Sequence, residues 1–586
     1  MTATIPCDLC EMRCEIAQES TGRCRMYTNQ DGHIIERYPD SYLVEYPISI
    51  ETMPLLHFYP GEKFIQVSTI GCNFACNGCV SELLTRSVPE FAPSLIKKSP
   101  EMIVQRARDE GCRGIVFAMN EPAVSLPTFS RLARLARQAD LVTGCSTNGY
   151  FTPTSLASLI PFLDGVAVGI KGNTDTAYRA CGARSAEPVF RNISTLIDHG
   201  VHVEVTVVHE RGAEEDLLAT CRKVADLSGE IPVQVMRFVP FGPADISLEP
   251  GIRASERLCD RIREHSRYVY LFNSPGSSYL HTTCPRCGSI VVRRELHGPM
   301  GARVFDQRRN WVCNCGYHIP FAGACAHTAY QEEGMMGGYR PTRALEVIKA
   351  ITTCLGISDE QTCARVWIDF ISRNYIDVLH KKIQAIDTYY ELIVYLAELT
   401  GRMQEGTDLV HYLKEHVEDI TALVEGLSRP RVLYAMGTPL FVLNEDRFEN
   451  KLVTAAGGEP LNRGFPRKGK PGIMIEPADL VRINPGVIII SGFLSTPVEE
   501  AYLLCEEQGV DIQAVRDRRI YVMPPSWDFG NPRWILGLSF LAGILHPHEI
   551  RTDPEEEAER FYRKFYHIPY SEATPNRSFF RPSSGR

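Results

Sequence analysis

Cysteine is the residue type in this sequence with the clearest capacity for chemistry, and more than half of its 20 cysteines fall into three groups. The first group is Cys7, Cys10, Cys14 and Cys24; the second is Cys72, Cys76 and Cys79; the third is Cys284, Cys287, Cys313 and Cys315. Closely spaced cysteines in a reducing compartment indicate metal binding before disulfides. The remaining cysteines are scattered, and we interpret most of them as small buried hydrophobic residues.

The second group offers three thiolates within the stretch GCNFACNGC, whereas a structural zinc ion is normally bound by four ligands. A four-iron cluster held by three cysteines keeps one iron open, and an open iron can bind the amino and carboxylate groups of a small molecule. Residues 63–69 alternate like a strand that ends just before these cysteines. We therefore predict a [4Fe–4S] cluster at Cys72, Cys76 and Cys79, and the competing interpretation is an incomplete zinc knuckle.

The third group has the pattern of a zinc ribbon, with two close cysteine pairs separated by a short β-prone stretch. Four thiolates leave a zinc ion no open position, so we predict a structural zinc site, with an auxiliary iron–sulfur cluster as the alternative. The spacing of the first group suits either a four-thiolate zinc site, the preferred interpretation, or an additional iron–sulfur cluster. A third alternative is that some cysteines of the first group pair in space with the ribbon.

The composition narrows the class of protein. The 586 residues suffice for three or four domains, and the formal net charge of −9, with no basic stripe, argues against nucleic-acid binding. The amino-terminal MTATIPCDLC lacks the basic start and apolar core of a secretory signal. Apolar runs such as residues 487–490 are far shorter than the roughly 20 residues of a membrane span. We expect a cytoplasmic protein that binds neither membrane nor nucleic acid.

Alternating β and α segments between residues 42 and 278 must position the second cysteine group. The predicted strands are 64–69, 114–118, 141–146, 165–171, 202–208 and 233–238, and the predicted helices are 100–110, 127–138, 188–199 and 214–227. Repeated β-α units predict a parallel sheet with its chemistry at the carboxyl ends of the strands.

Polar motifs lie at or near those strand ends. Asn120 and Glu121 follow the second strand, Thr147 and Asn148 follow the third, Lys171 ends the fourth, and Glu204 lies inside the fifth. Each alone is typical of a loop cap or a solvated charge. Together, at one end of one barrel, they indicate a binding site.

The motifs GCNFACNGC, NEP, STNGY, GIK, HVEVTVV and RFVPF closely resemble those of radical-SAM proteins related to pyruvate formate-lyase activating enzyme. The resemblance extends over about residues 1–320, because some members also carry an amino-terminal cysteine cluster and a CPxCG ribbon. It implies a (β/α)6 partial barrel, a [4Fe–4S] cluster that cleaves S-adenosylmethionine (SAM), and a reductant such as flavodoxin or ferredoxin.

The same resemblance assigns roles to individual residues. Asn120 and Glu121 would contact the methionine amino group of SAM, and Lys171 would reach toward its carboxylate or ribose. Ser146, Thr147 and Asn148 would lie beside the ribose. One position departs from the family: the residue before the third cluster cysteine is usually aromatic and packs near adenine, but here it is Gly78.

The carboxyl-terminal half contains a helical stretch and then a second α/β unit. Residues 376–400 and 407–426 have helical apolar spacing, and the first of these is long enough to act as a spine. The later predicted strands are 431–435, 487–491 and 519–523, and the predicted helices are 446–456, 496–508 and 532–545.

Residues 429–548 resemble the carboxyl-terminal lobe of periplasmic proteins that bind cobalamin or ferric siderophores. The matching stretches are RVLYAMG, AAGGEPLN, EPADLVRINPGVIIISG, DRRIYVMPP and PRWILGLSFLAGILHP. Without an export signal or a clear amino-terminal lobe, the chain does not fit a transport receptor, so we expect the barrel to supply the second wall of the site. The expected corrin contacts come from three loops: Gly437, Thr438 and Pro439; Gly492, Phe493 and Leu494; and Pro525, Ser526, Trp527 and Asp528. Trp527 is the first candidate to touch a flat macrocycle, and a core tryptophan is the alternative.

Cobalamin beside a radical-SAM cluster implies methylation of an unactivated carbon. The SAM-derived radical would remove a hydrogen atom, methylcobalamin would donate the methyl group, and a second SAM would remethylate the cobalt. The expected substrate is a protein or peptide, and the architecture is similar to that of enzymes that methylate a glutamine of methyl-coenzyme M reductase. The alternatives are a glycyl-radical activase whose last lobe docks its partner, and a protein that binds or matures a metal cofactor.

The predicted organisation has six parts. They are a cysteine-rich segment at 1–41, the partial barrel at 42–278, the ribbon at 279–325, a helical linker at 326–428, the cobalamin-binding-like lobe at 429–550 and a polar tail at 551–586.

Overall fold

The computed structural model describes residues 4–240, 245–307, 311–332, 340–373, 375–465, 471–551 and 553–573. The chain divides into two compact units. Unit 1 comprises residues 1–273 and 277–342, and unit 2 comprises residues 274–276 and 343–586.

Unit 1 contains short amino-terminal strands, a large sheet with its helices, and the ribbon. Its strands are β1 (Thr4–Pro6), β2 (Glu15–Ala17), β3 (Tyr27–Gln30), β4 (His33–Glu36), β5 (Ser41–Tyr42), β6 (Val44–Ser49), β7 (Lys63–Ser68), β8 (Ile96–Lys97), β9 (Gly114–Phe117), β10 (Val142–Thr147), β11 (Gly165–Gly169), β12 (His202–His209), β13 (Val233–Arg237), β14 (Val269–Phe272), β15 (Thr282–Thr283), β16 (Ile290–Leu296) and β17 (Ala302–Gln307). Its helices are α1 (Glu82–Arg86), α2 (Val88–Phe91), α3 (Pro100–Asp109), α4 (Leu126–Gln138), α5 (Pro153–Leu159), α6 (Asp175–Ala180), α7 (Glu187–Asp198), α8 (Glu214–Leu227) and α9 (Ile252–Arg263).

The large sheet has eight strands in the order β14-β13-β12-β11-β10-β9-β7-β6. All neighbours pair in parallel except β6 and β7, which are antiparallel. All six predicted strands are therefore present, and the structure adds β14 at one edge and β6 at the other. Parallel pairing brings the segments that follow β7, β9, β10 and β11 to the same edge of the sheet.

The helices cover this sheet through apolar stripes. On α4, for example, Leu126, Phe129, Leu132, Ala133 and Ala136 are buried, and their spacing of three and four residues puts them on one face. The strands between are rich in β-branched residues and nearly fully buried, as expected for a parallel sheet covered by helices.

Unit 2 is a helical region followed by a second α/β fold. Its helices are α10 (Arg340–Cys354, which begins at the boundary), α11 (Glu360–Ser372), α12 (Ile376–Lys382), α13 (Ile386–Thr400), α14 (Met403–Val424), α15 (Phe448–Ala455), α16 (Pro477–Ile483), α17 (Val498–Glu507), α18 (Gln513–Arg516), α19 (Trp534–Leu545), α20 (Pro554–Phe565) and α21 (Tyr570–Ala573). Its strands are β18 (Arg431–Met436), β19 (Thr438–Leu443), β20 (Glu459–Pro460), β21 (Gly472–Met474), β22 (Val487–Ile490) and β23 (Ile520–Val522). They form one sheet in the order β21-β19-β18-β22-β23, with β20 also paired to β18.

Unit 2 differs from the sequence-based expectation at three places. The predicted spine over 376–400 is interrupted between α12 and α13, and the longest helix is instead α14, with 22 residues. Thr438 and Pro439, predicted in a loop, belong to β19, which pairs with β18 directly after the turn at Gly437. The predicted polar tail includes α20, whose Phe561, Tyr562 and Phe565 are buried; the remainder of the tail, from residue 574, lies outside the described residues.

None of the helices in the described part of the chain is both long and apolar enough to cross a bilayer.

Candidate active site

The loop that carries Cys72, Cys76 and Cys79 follows β7 and leads into α1. Gly71, immediately before the first cysteine, has a φ of +85°, and a Cβ there would lie 2.9 Å from the Met26 side chain. Gly78 also adopts a left-handed φ of +67°. This conformation favours glycine over any aromatic residue, which accounts for the departure from the family pattern at this position.

Asn120 binds the start of this loop. Its Oδ1 accepts a hydrogen bond from the Thr69 amide at 3.0 Å, and its Nδ2 donates to the Thr69 hydroxyl and to the carbonyls of Ile70 and Gly71. These bonds occupy both ends of the side-chain amide. Asn120 therefore positions the cluster loop, and its predicted contact with SAM stays a prediction.

Glu121 collects donors from two strand ends. Its Oε1 accepts hydrogen bonds from the Ala123 amide at 3.0 Å and the Thr147 hydroxyl at 2.7 Å, and its Oε2 accepts one from the Asn148 amide at 2.8 Å. Burial raises the pKa of the Glu121 carboxyl, and these donors oppose that rise. The segments after β9 and β10 are thus fixed to each other by one buried carboxylate.

Asn148 links this pair of strand ends to the cysteine loop. Its Nδ2 donates to Asn73 Oδ1 at 2.7 Å and lies 3.8 Å from Cys72 Sγ. Ser146, predicted beside the ribose, is partly exposed at the end of the same strand. The structure therefore brings the polar residues that follow β9 and β10 together with the first cluster cysteine.

Lys171, directly after β11, supplies positive charge to the cysteine loop. Although burial lowers the pKa of its ammonium, the thiolates of Cys76, Cys181 and Cys79 raise that pKa by more. The pKa of Cys76 falls to about 6, chiefly because Cys181 hydrogen-bonds to its sulfur, with Lys171 and Arg86 adding favourable charge. Both cations stabilise the thiolate form of the cysteines in this loop.

Cys181 is a neighbour that sequence reasoning missed, because it had been grouped with the scattered buried cysteines. Its thiol interacts with Cys76, and its carbonyl accepts a hydrogen bond from the Ala75 amide at 2.8 Å. The two residues are far apart in the sequence, so no spacing pattern could have predicted this contact.

Glu204, which is predicted as a cofactor contact, lies in β12 and is fully buried. Its carboxylate accepts hydrogen bonds from the amides of Leu56 and His57, from Gln234 Nε2 and from His202 Nε2, at 2.6–2.9 Å. Although burial raises the pKa of this carboxyl, its donors lower the pKa by more. None of these partners belongs to the cysteine loop. Glu204 holds residues 56–57 through these bonds, and its predicted contact with a cofactor stays a prediction.

The other two cysteine groups are the ribbon and the amino-terminal group. The ligand atoms of Cys284, Cys287, Cys313 and Cys315 all lie within 4.8 Å of one another, and two of the pairs are 3.3 Å and 3.6 Å apart. These distances suit a single tetrahedral ion, for which a Zn–S bond of about 2.3 Å puts sulfurs about 3.8 Å apart. The amino-terminal cysteines instead line one closed cavity together with Met12, Tyr27 and Asn73.

The predicted corrin-contact residues in unit 2 lie on the segments that follow its parallel strands. Asp528 is buried, and its Oδ2 accepts hydrogen bonds from the Ser491 hydroxyl, the Gly492 amide and the Tyr434 hydroxyl at 2.7–3.3 Å. Burial raises the pKa of Asp528 to about 6, and repulsion from Glu449 adds to the rise. One carboxyl therefore ties the ends of β18 and β22 to the segment that follows β23.

The predicted corrin-contact residues include both partly exposed and buried side chains. Phe493, Ser526 and Thr438 are partly exposed, whereas Trp527 is only 2% exposed and its ring lies 6.4 Å from that of Tyr570. Trp527 therefore occupies the core, as its alternative interpretation held. The ring of Phe493 is covered on one face by the Arg343 guanidinium, 4.7 Å from its centroid.

Comparison with known proteins identifies the class. The family model of the radical SAM superfamily matches residues 67–224, which contain the cysteine loop and the segments after β9, β10 and β11. The uncharacterized protein MJ0808 of Methanocaldococcus jannaschii is 30% identical over 302 residues, which are 50% of this chain and 88% of that protein. The chain belongs to the radical SAM superfamily.

Among solved structures, the similarities are distant and involve solute-binding proteins. The molybdate-binding protein MolA of Haemophilus influenzae is 22% identical, with a TM-score of 0.28, over 31% of this chain and 57% of that chain. Helicobacter pylori CeuE with Ni(II) bound is 18% identical, with a TM-score of 0.29, over 33% of this chain and 62% of that chain. This chain thus spans about three fifths of the length of those proteins.

Proposed function

We propose that this protein is a cobalamin-dependent radical SAM C-methyltransferase that modifies an unactivated carbon of a protein or peptide. The observation that carries the SAM half of the proposal is a chain of hydrogen bonds. It links Glu121 to Thr147 and Asn148, and Asn148 to Cys72 of the cysteine loop. Half of the chain has no counterpart in the relative from Methanocaldococcus jannaschii, and the corrin half of the proposal gives that additional mass a function.

The residues around the loop fit a [4Fe–4S] cluster and SAM. Cys72, Cys76 and Cys79 would hold the cluster, because they are three thiols on one loop with Lys171 and Arg86 as counter-charges. A cluster bound there would supply the electron for reductive cleavage of SAM to methionine and a 5′-deoxyadenosyl radical. Glu121 has lone pairs left after its three hydrogen bonds and would accept one from the methionine ammonium group.

The same residues restrict water and fix geometry. Asn120, Glu121, Thr147 and Asn148 are all less than 8% exposed, and their hydrogen bonds are made to one another, to the loop or to the backbone of the segments that follow β9 and β10. A site whose donors and acceptors are already oriented needs little rearrangement when the ligand binds. A partly enclosed site would also protect a carbon radical from side reactions with solvent.

Unit 2 supplies the proposed corrin site. Phe493 and Ser526 are its partly exposed groups next to the segments that Asp528 holds together, and they would contact the macrocycle. Bound cobalamin would be the methyl donor for the unactivated carbon. The resemblance of residues 429–548 to cobalamin-binding lobes supports this assignment, and the resemblance to glutamine methyltransferases supports a protein or peptide substrate.

One preparation tests both halves of the proposal. The protein is purified under anoxia with hydroxocobalamin supplied, and its cobalt content, visible spectrum and conversion of SAM to 5′-deoxyadenosine under dithionite are measured. The proposal predicts near-stoichiometric corrin together with SAM cleavage. SAM cleavage without bound corrin would contradict the methyltransferase and favour a glycyl-radical activase, whereas bound corrin without SAM cleavage would favour a cofactor-binding protein.

Matched variants localise the corrin. Phe493→Ala should weaken corrin binding about fivefold, because loss of a stacked aromatic contact costs about 1 kcal/mol. Met474→Ala is the control, since Met474 is 50% exposed on the edge strand β21 of the same sheet. Equal retention in both variants would contradict the proposed contact surface.

A further inference from the structure

Four exposed arginines lie on segments that contact the cysteine loop, and the proposed function does not use them. Arg23 and Arg25 precede β3, whereas Arg179 lies on α6 and Arg184 follows that helix. In the described part of the chain, none of the four forms an ion pair with a carboxylate. We call these four residues the arginine patch.

The turn between Arg179 and Arg184 contacts the cysteine loop directly. The Ala75 amide, next to Cys76, donates a hydrogen bond to the Cys181 carbonyl at 2.8 Å. The Cys181 thiol also interacts with the Cys76 sulfur. Both arginines therefore lie within three residues of a contact with the loop.

The segment that carries Arg23 and Arg25 is joined to the same turn. The Arg23 guanidinium donates to the Gly182 carbonyl at 2.7 Å. Cys24, between the two arginines, also lies beside the loop, because a Cβ on Gly71 would be 3.4 Å from the Cys24 carbonyl. The two segments of the arginine patch therefore contact each other as well as the cysteine loop.

The cysteine loop reaches the protein surface and has no charged side chain of its own. Asn77, in the middle of the loop, is exposed, and residues 71–81 contain no Asp, Glu, Lys or Arg. Residues 22–26 and 171–184 contain five Lys or Arg residues, and Asp175 is their one acidic residue. The surface beside the loop is therefore positive, although the whole chain has a formal net charge of −9.

The positive charge of the patch is not neutralised within the protein, whereas other arginines of unit 1 have acidic partners. Arg13, Arg137 and Arg263, for example, pair with Asp8, Asp164 and Asp260. A charged surface of one sign raises the association rate of an oppositely charged partner by about ten- to a thousandfold. SAM carries a sulfonium and an ammonium group, so a positive patch would not attract it. The partner that the patch fits is an acidic molecule that must reach the cysteine loop from solution.

We propose that Arg23, Arg25, Arg179 and Arg184 form the docking surface for an acidic one-electron carrier protein of the flavodoxin or ferredoxin class. This inference rests on the proposed function, in which reductive cleavage of each SAM consumes one electron. The docked carrier would be oxidised by one electron, and that electron would pass at the cysteine loop to SAM, whose C–S bond breaks to give methionine and the 5′-deoxyadenosyl radical.

Charge reversal of two patch residues tests the proposal. Arg25 and Arg184 are chosen because neither side chain makes a hydrogen bond to any residue that the structure describes. The anoxically reconstituted Arg25→Glu/Arg184→Glu double variant is assayed for 5′-deoxyadenosine formation with reduced flavodoxin and, separately, with reduced ferredoxin. The KM for the carrier that drives the reaction in the unsubstituted protein should rise about tenfold or more, because electrostatic attraction is replaced by repulsion.

Two further measurements separate docking from folding and from the reaction itself. With dithionite, a small reductant that needs no docking surface, the rate of SAM cleavage and the iron content of the double variant should be unchanged. Added salt should slow the carrier-driven reaction of the unsubstituted protein more than that of the variant, because salt screens exposed charges. Arg25→Gln/Arg184→Gln should raise the KM for the carrier in the same direction by a smaller factor.

The matched control is the double variant Arg108→Glu/Arg134→Glu. Both residues are exposed, and they lie on the parts of α3 and α4 that lead into β9 and β10, at the edge of the sheet opposite to the cysteine loop. An unchanged KM for the carrier in Arg25→Glu/Arg184→Glu, or an equal rise in the control, would overturn the proposal. So would an unsubstituted protein that cleaves SAM with dithionite but with neither carrier, whereas absence of cleavage with dithionite would instead contradict the proposed function.

Discussion

Both units of this protein use one buried carboxyl to fix the ends of parallel strands. In unit 1, Glu121 binds the Ala123 and Asn148 amides and the Thr147 hydroxyl; in unit 2, Asp528 binds the Gly492 amide and the hydroxyls of Ser491 and Tyr434. The residues next to these two carboxyls differ. Asn148 carries the first arrangement to Cys72, whereas the second has Tyr434 and the Arg447–Glu449 ion pair beside it. The same arrangement thus lies beside a cysteine loop in unit 1, whereas in unit 2 its hydrogen-bond partners are an amide and two hydroxyls.

This difference bears on the proposed function, in which unit 1 carries out the reaction and unit 2 binds the corrin. Thiols beside Lys171 and Arg86 are ready to bind metal, so chemistry is expected in unit 1. In the strand-end segments of unit 2, Asp528 is the acid, and its Oδ2 accepts hydrogen bonds from two neutral hydroxyls and an amide. Variants at the two carboxyls and at neighbouring residues test this comparison.

The largest expected effect is at the cluster loop. Cys76→Ala should abolish 5′-deoxyadenosine formation and remove about four iron atoms per chain, because two cysteines cannot hold the cluster. Cys221→Ala is the control, since this buried thiol on α8 has burial as the sole cause of its raised pKa. Continued 5′-deoxyadenosine formation by the Cys76 variant would show that the cluster is assigned to the wrong residues.

The second largest effect is expected for substitution of Trp527, and it should concern the stability of unit 2. Trp527→Ala should lower the free energy of unfolding of unit 2 by about 3–5 kcal/mol, because a buried indole leaves a large cavity. Hydrogen exchange of unit 2 amides in the full chain measures this, with Trp527→Phe as the conservative control. A fully stable Trp527→Ala that loses corrin would instead restore this residue as a corrin contact.

Asp528 should make the stability of unit 2 depend on pH. The folded-state pKa of Asp528, about 6, is above the usual aspartate value. The contribution of this group to the free energy of unfolding is therefore fully present below the unfolded-state pKa and is lost as the pH rises through 6. The loss should reach about 3 kcal/mol at neutral pH. Asp528→Asn should flatten this profile while keeping most of the hydrogen bonds, and an unchanged profile would contradict the assignment. Asp528→Ala should be less stable than Asp528→Asn at every pH, because it leaves three buried donors unpaired.

Glu121 should show the smallest of these effects, and it should concern SAM binding. Glu121→Gln replaces one acceptor oxygen by a donor, which opposes the Asn148 amide and removes the negative charge. We expect the KM for SAM to rise about 10- to 100-fold with iron content unchanged, because a charged hydrogen bond is worth about 1.5–3 kcal/mol. Glu62→Gln, at a half-buried carboxyl outside the SAM site, is the control. A KM that does not change would separate Glu121 from the ligand.

Much of the framework could be predicted from the sequence because local patterns determine it. The β-branched runs and amphipathic helices of unit 1 gave strand and helix limits close to those observed, as in β9, β13 and α8. The compact zinc-type arrangement of the ribbon also followed from spacing, because both cysteine pairs are local.

The parts that the sequence could not show depend on contacts between distant residues. Glu204 lies in a strand of the sheet, but its hydrogen-bond partners include residues 56–57 and 234, which no local pattern connects to it. The contact of Cys181 with Cys76 crosses about a hundred residues. The local sequence around Trp527 predicts an exposed loop. The side chain is buried because of tertiary packing, which the local sequence does not show.

The most direct test of the account is the product of SAM under reducing, anoxic conditions. The reconstituted protein with dithionite should convert SAM to 5′-deoxyadenosine and methionine, and Cys76→Ala, with the same protein concentration and reductant, should form none. Absence of 5′-deoxyadenosine from a preparation that contains its full complement of iron would contradict the assignment of the site.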